Sequence, residues 1–320
     1  MLKKYCLLLA AAFLAGTALA AENAADGFMK ELLTKTGRTA GICSLPRSGG
    51  ALVLALASNS SLLVHAMATE ETGLSLLRKT ASEAGLLGSR IYVEKGNPSK
   101  LPFADNYIDF LLIADLGSGD LTSLQPKEIL RALAPYNGVF AAGRLKTEQP
   151  DALLTKEKLL VWAKSFSGCE ASVEETAYGL FAYIRKGPLK NGDDWSHFYH
   201  NAEGDCFSKD TALKFPLALQ WLGKPYLESN FNSSVVASGR LFTVRSSPLF
   251  TVKGLPVELV ARSAHNGSYL WKKELPADYG TFSPNIAASA KYCIIFKGSS
   301  ALLLDAETGK EKKEVFFDAS

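Results

Sequence analysis

Between Ala40 and Arg185 the chain alternates short apolar runs with helix-forming segments, and this alternation restricts the fold more than any other feature of the sequence. Gly41–Leu45 reads as a strand, followed by a turn over Pro46–Gly50 and an Ala/Leu-rich helix over Ala51–Ala57. Leu62–Met67 is a second strand. Thr69 is the expected cap of a helix reaching Ala84, with Glu70 and Glu71 at its positive end. Arg90–Glu94 reads as a third strand. Asp109–Ala114 is continuously apolar after its first residue, the mark of a strand covered on both faces in a parallel sheet. A helix over Pro126–Leu133, a strand over Gly138–Ala142, a helix near Lys156–Phe166 and strands near Ala171–Glu175 and Gly179–Arg185 complete the unit. Such a pattern predicts a doubly wound α/β, Rossmann-like domain.

The remainder of the composition narrows the function classes. The 320 residues carry 35 Lys+Arg against 32 Asp+Glu, are 47% hydrophobic and have near-zero mean hydropathy. Disordered and collagen-like chains are excluded by this balance. No basic block marks a nucleic-acid surface, because Glu311 and Glu314 dilute Lys310–Lys313. Lys3 and Lys4, an apolar run from Tyr5 to Leu14 and Ala18-Leu19-Ala20 have the order of a secretory signal peptide over residues 1–20. No later run has the length of a transmembrane segment. The expectation is an exported, soluble mature chain of formal charge +1, periplasmic or extracellular, once Lys3 and Lys4 are removed from the +3 total. Its cysteines Cys43, Cys169, Cys206 and Cys293 have neither C-x-x-C nor zinc spacing, so buried free thiols and disulfides both remain open.

Leu101-Pro102-Phe103-Ala104-Asp105-Asn106-Tyr107-Ile108-Asp109 resembles the segment leading into the fourth strand of class I S-adenosylmethionine-dependent methyltransferases. Arg131–Val139 resembles the turn from a helix into the fifth strand of the same fold, and the resemblance spans about residues 27–187. It implies a cofactor site at the ends of the first three strands, with Gly49, Gly50, Glu70 and Asn97 as candidate cofactor-binding residues, and Asp115, just past the fourth strand at the sheet's carboxyl edge, is a further candidate. The pattern is degenerate here. In the family, glycines follow the first strand so that backbone can approach the cofactor, whereas Pro46 and Arg47 stand in this loop. An acid after the second strand is replaced by Met67-Ala68-Thr69, and the acid after the third by Asn97. S-adenosylmethionine is a cytosolic metabolite, so export argues in the same direction. No catalytic residue is assigned.

After Gly187-Pro188 and Asn191–Asp194 the periodicity changes, making 188–216 a linker, and from residue 217 no helix is expected. Ser234–Val244 reads as strand, Gly239 turn, strand. Leu259–Ser268 and Leu302–Lys310 both resemble the repeat of pyrroloquinoline-quinone-type β-propellers, a strand followed by an Asp-Ala-x-Thr-Gly-like turn and often a Trp. Trp271 fits that Trp, with Val315 or Phe316 standing there in the second copy. The copies are about forty residues apart, as blades are. The resemblance implies about two quinoprotein-like blades over 217–320, short of the four that close a propeller, and thus a truncated member of a longer family. It does not imply bound quinone. Asp194–Asn201 through Leu219–Leu222 resembles the segment joining the two domain types in large exported bacterial proteins. His197 and His200, three apart, fit one helix face with Asp194 or Asp205 near, but aromatic packing outweighs a metal there. His65 reads as a core histidine. The sequence thus points to a non-catalytic binding or scaffold protein of the envelope whose partner is an unidentified envelope protein or small ligand. The alternatives are an S-adenosylmethionine-dependent methyltransferase and, more remotely, a quinone-dependent dehydrogenase.

Overall fold

A computed structural model describes residues 23–216, 218–223, 234–245, 257–276, 279 and 286–317. The signal peptide expected over residues 1–20 lies outside the described residues. The chain divides into two compact units, one comprising Met1–Leu133 and Gly138–Lys186, the other Ala134–Asn137 and Gly187–Ser320. Residues 188–216 belong to the second unit.

In the first unit a helix over 23–36 (α1) precedes β1 (Ile42–Arg47), α2 (Gly50–Asn59), β2 (Leu63–Ala68), α3 (Glu71–Glu83) and β3 (Ile91–Lys95). Then follow β4 (Phe110–Ile113), α4 (Asp120–Ser123), α5 (Pro126–Ala132), β5 (Val139–Leu145), α6 (Lys156–Lys164), β6 (Cys169–Glu175) and β7 (Gly179–Lys186). The seven strands lie in the order β3-β2-β1-β4-β5-β7-β6, with β7 antiparallel to both its neighbours and the other pairs parallel. This is the doubly wound α/β fold. Strand β4 shows why its run is wholly apolar. Phe110 and Leu112 pack with Phe28, Leu32, Val53 and Leu56 on one face, while Leu111 and Ile113 pack with Ile129, Leu159 and Trp162 on the other. Helix α1 was not singled out in the sequence, although Ala25, Phe28, Met29, Leu32 and Leu33 are buried at helical spacing. Gly27 in its interior costs about 0.5–1 kcal/mol relative to alanine. A Cβ there would collide with the Tyr178 hydroxyl, so the glycine lets that ring lie against the helix.

Among the described residues the second unit contains two four-stranded antiparallel sheets, each a consecutive meander. One is β8 (Ser234–Ala237), β9 (Arg240–Arg245), β10 (Val257–Ser263) and β11 (Tyr269–Leu275). The other is β12 (Ile286–Ala288), β13 (Tyr292–Lys297), β14 (Ser300–Asp305) and β15 (Glu311–Phe316). Both contribute to one apolar core around Phe242, Leu259, Cys293 and Leu304. The connecting segment pairs with both, since Trp195 exchanges backbone hydrogen bonds with Val236 at 2.9 and 2.7 Å and Ser196 accepts from the Ala288 amide at 2.9 Å.

Trp271 is the joint between the sheets. Its Nε1 donates to the Ala306 carbonyl at 3.1 Å, and its ring lies over Gly309, where a Cβ would come within 2.7 Å. Trp221 repeats the arrangement one sheet earlier, donating to Ala264 at 3.0 Å. The register corrects the expected second-copy position. Trp271 lies opposite Ala261 in the first sheet, and the corresponding residue opposite Leu303 is Lys313, not Val315 or Phe316. All of β15 is exposed, and it carries Glu and Lys side chains of the kind that discourage edge-to-edge pairing.

Candidate functional site

Strand order reverses between β1 and β4, the place where a doubly wound sheet leaves a crevice beyond its carboxyl edge. A cleft of about 270 Å³ lies there, lined by the loop after β1, the ends of β2 and β4, and the start of α3. Its character is set by the last residues of β1. Pro46 has no N–H for the ladder, and the pairing with β4 shifts between Ser44 and Arg47, which falls opposite Ile113.

From this position Arg47 grips the loop that follows β4. Its Nε donates to Asp115 Oδ1 at 2.7 Å, while Nη1 and Nη2 donate to the two carboxylate oxygens of Asp120 at 3.0 and 2.7 Å. Asp120 also accepts from the Gly117 amide at 2.7 Å. Burial pushes the Asp120 carboxyl up, but the Arg47 and Gly117 hydrogen bonds outweigh it, and the group titrates below the ordinary carboxylate range. The Asp120 hydrogen bond, opposed by burial, raises the Arg47 guanidinium further, so it stays charged. Arg144 holds the same loop from the other side through the Asp115 and Leu116 carbonyls at 3.3 and 3.1 Å, and Asp151 accepts from the Ser118 amide at 2.7 Å. Arg47 therefore works as a structural clamp at the edge of the cleft. The sequence showed it as an intruder in a glycine loop; its two carboxylate partners, 68 and 73 residues away, were not legible.

Of the five candidate binding residues, Gly49, Glu70 and Asp115 line this cleft. Gly50 does not. It begins α2, and a Cβ there would come within 2.9 Å of Thr80, so its smallness serves the packing of α2 on α3. Asn97 does not either. It is exposed, and its Oδ1 accepts from the Ser99 amide at 2.8 Å in its own turn. Glu70, expected inside the helix, is the cap residue before α3, without a side-chain capping bond. Ala68 lines the cleft and offers no carboxylate for ribose hydroxyls. At this cleft the Arg47 guanidinium is paired with two carboxylates at the end of β1, Ala68 ends β2 without a carboxylate, and Asn97 is turned into its own loop.

His197 and His200 do not share a helix face, because they form a turn bonded to itself at 3.2 and 3.1 Å. The buried His200 ring lies between two carboxylates, Nδ1 at 2.7 Å from Asp205 and Nε2 at 2.8 Å from Asp193. Such a pairing satisfies an imidazolium with two donors. The Asp205 bond first, then the Asp193 bond, raise its titration above the ordinary 6.5. Among the described residues no group of His, Cys, Asp and Glu has the arrangement of a metal site. Among the described residues Cys43, Cys169, Cys206 and Cys293 form no disulfide, and Cys43 and Cys293 are buried. His65 lies in β2 with Nδ1 3.1 Å from Ser44 Oγ and Nε2 3.2 Å from Glu94, and burial lowers its titration. Ser44 is fully buried, so these three do not form an accessible nucleophile.

No family model matches this chain, and no curated protein matches it. Solved structures are similar over about half of it. They include a protein of Methanococcus maripaludis assigned as an S-adenosyl-L-methionine-dependent methyltransferase, with TM-score 0.44 and 19% identity over 52% of this chain and 87% of that one. A SAM-dependent methyltransferase from Aquifex aeolicus has TM-score 0.40 and 18% identity, covering 49% and 88%. The cyclase SpnF has TM-score 0.42 and 16% identity, covering 51% and 82%. No helix among the described residues is long and apolar enough to cross a membrane.

Proposed function

We propose that this chain is an exported, non-catalytic binding protein of the cell envelope. In this reading a degenerate methyltransferase-like α/β domain and two blades of the quinoprotein-like propeller type act as recognition surfaces. The observation that carries it is the Arg47 clamp. At the place where the resembling family keeps glycines for its cofactor, this chain has a guanidinium bonded to Asp115 and Asp120. The leader-like first twenty residues support export, away from the cytosolic supply of S-adenosylmethionine. The two meanders with their Trp joint support the blade reading.

A second reading, an S-adenosylmethionine-dependent methyltransferase, is favoured by the cleft itself, which lies at the switch point and includes Glu70 and Asp115. Calorimetric titration of the purified protein with S-adenosylmethionine and S-adenosylhomocysteine separates the two. No detectable heat from a folded sample supports the binding protein. Micromolar binding sinks it and makes Arg47 a cofactor-side residue.

A further inference from the structure

The cleft has a neighbour. A second hollow of about 300 Å³ lies between α1, the start of α2, the end of β5 and the β6–β7 turn. Phe28, Leu52, Leu145 and Tyr178 make its walls apolar, and its polar groups include Lys146 and Glu148. This is the small end of the range for ligand pockets, lined as such pockets are. Tyr178 is held as a wall: its carbonyl accepts from the Lys146 amide at 2.8 Å, its ring lies 5.9 Å from that of Phe28, and Gly27 gives it room against α1.

Gly49, Leu52 and Glu148 line both hollows. Gly49 has φ −78°, a conformation open to any residue, and a Cβ there would meet nothing within 4 Å. Neither backbone geometry nor packing requires glycine at this position. What its missing side chain leaves is free space on the wall that the two hollows share. The charges around this space are uneven. Arg47 is committed to Asp115 and Asp120, and Lys146 Nζ donates to the Thr176 carbonyl at 3.1 Å. Glu70 and Glu148 have no ion pair among the described residues.

We propose that the two hollows form one bipartite site, joined across Gly49, for a compact amphipathic cation. The apolar body occupies the hollow beneath α1, and the positive head meets Glu148 and Glu70. This proposal rests on the reading of the α/β domain as a binding module and names its ligand class. Placing a cation against these carboxylates adds charge-assisted contacts that a neutral analogue lacks.

The test uses phenethylamine, phenethyl alcohol and phenylpropionate as probes, titrated into the full protein by ligand-observed NMR. The amine is expected to bind about tenfold more tightly than the alcohol, the equivalent of about 1.4 kcal/mol, and the anion more weakly than either. Glu148→Gln removes the amine's advantage and leaves the alcohol unchanged. Ala51→Trp, an exposed position on the hollow's rim, weakens both by at least about tenfold. Failure of all three probes to bind folded wild-type protein overturns the proposal, as does equal binding by folded Ala51→Trp. Equal affinity for amine and alcohol overturns the assigned charge. S-adenosylmethionine binding that displaces phenethylamine would sink the non-catalytic reading and leave the hollow standing. Silence from both S-adenosylmethionine and the probes would do the reverse.

Discussion

Two joints, one in each unit, hold a turn against a distant element with opposite chemistry. In the α/β unit, Arg47 at the end of β1 holds the loop after β4 through two carboxylates. In the β-rich unit, Trp271 on β11 covers the turn after β14 with its ring and donates one hydrogen bond to Ala306. The ring contributes area removed from water together with a satisfied N–H. The guanidinium contributes little net stability where it is a third exposed, but it fixes the position of two carboxylates at the cleft. One joint supplies cohesion and the other supplies geometry.

Removing each joint should expose that difference. Trp271→Ala is expected to cost the most, about 3 kcal/mol, because it empties the space between two sheets that share a core. Chemical denaturation followed by circular dichroism measures it, and a loss under about 1 kcal/mol would mean that the ring is not the joint. Gly309→Ala comes next, at about 2 kcal/mol. It forces alanine to φ +70° and sets a Cβ against the Trp271 ring, so in a Trp271→Ala background the part due to the ring contact should vanish while the backbone part remains.

Arg47→Met should cost only about 1 kcal/mol, with a signature in pH. Because the Asp120 carboxyl titrates below its ordinary 3.8 in the fold, its contribution is complete above 3.8 and lost as pH falls through the folded value. Wild-type stability should therefore show an acid limb in that range that Arg47→Met lacks; identical limbs would show that the clamp does not hold Asp120. The smallest effect is expected at His200, whose titration is raised rather than lowered. Its contribution is complete below 6.5 and lost as pH rises through the higher folded value. Amide exchange at Lys209, whose N–H donates to Asp193 at 2.6 Å, should quicken across that window in wild type. In His200→Asn it should be quick throughout. A pH-independent wild type would remove the imidazolium from the account.

Much of the α/β unit is legible because its signals are local. The alternation of apolar runs, the buried β4, Pro126 opening α5 and the change of pattern after Gly187 follow from backbone propensity and side-chain period within a few residues. The turn at Asp305–Gly309 is legible for the same reason, since Asp305 Oδ1 accepts from the Glu307 and Thr308 amides at 3.1 and 2.9 Å within the turn. The paired histidines show how spacing misleads. A separation of three fits a helix, but the chain there turns back on itself, and His200 finds partners at Asp193 and Asp205 instead. Trp271 stands out in the sequence beside the Asn266-Gly267 turn, whereas the residue at the matching register of the other sheet, Lys313, is given only by strand pairing.

Sequence alone determined the strands of the α/β unit and most of its helices in order, the change to a β pattern, and the departure of the β1 end from a glycine pattern, because each depends on residues close together in the chain. Tertiary structure decided what those residues meet. It made Arg47 a clamp on Asp115 and Asp120, turned Asn97 into its own loop, spent Gly50 on helix packing and left Gly49 on the wall between two hollows. Those outcomes depend on side chains brought together across tens of residues by the order of strands in a sheet, and no local pattern encodes a distance of that kind.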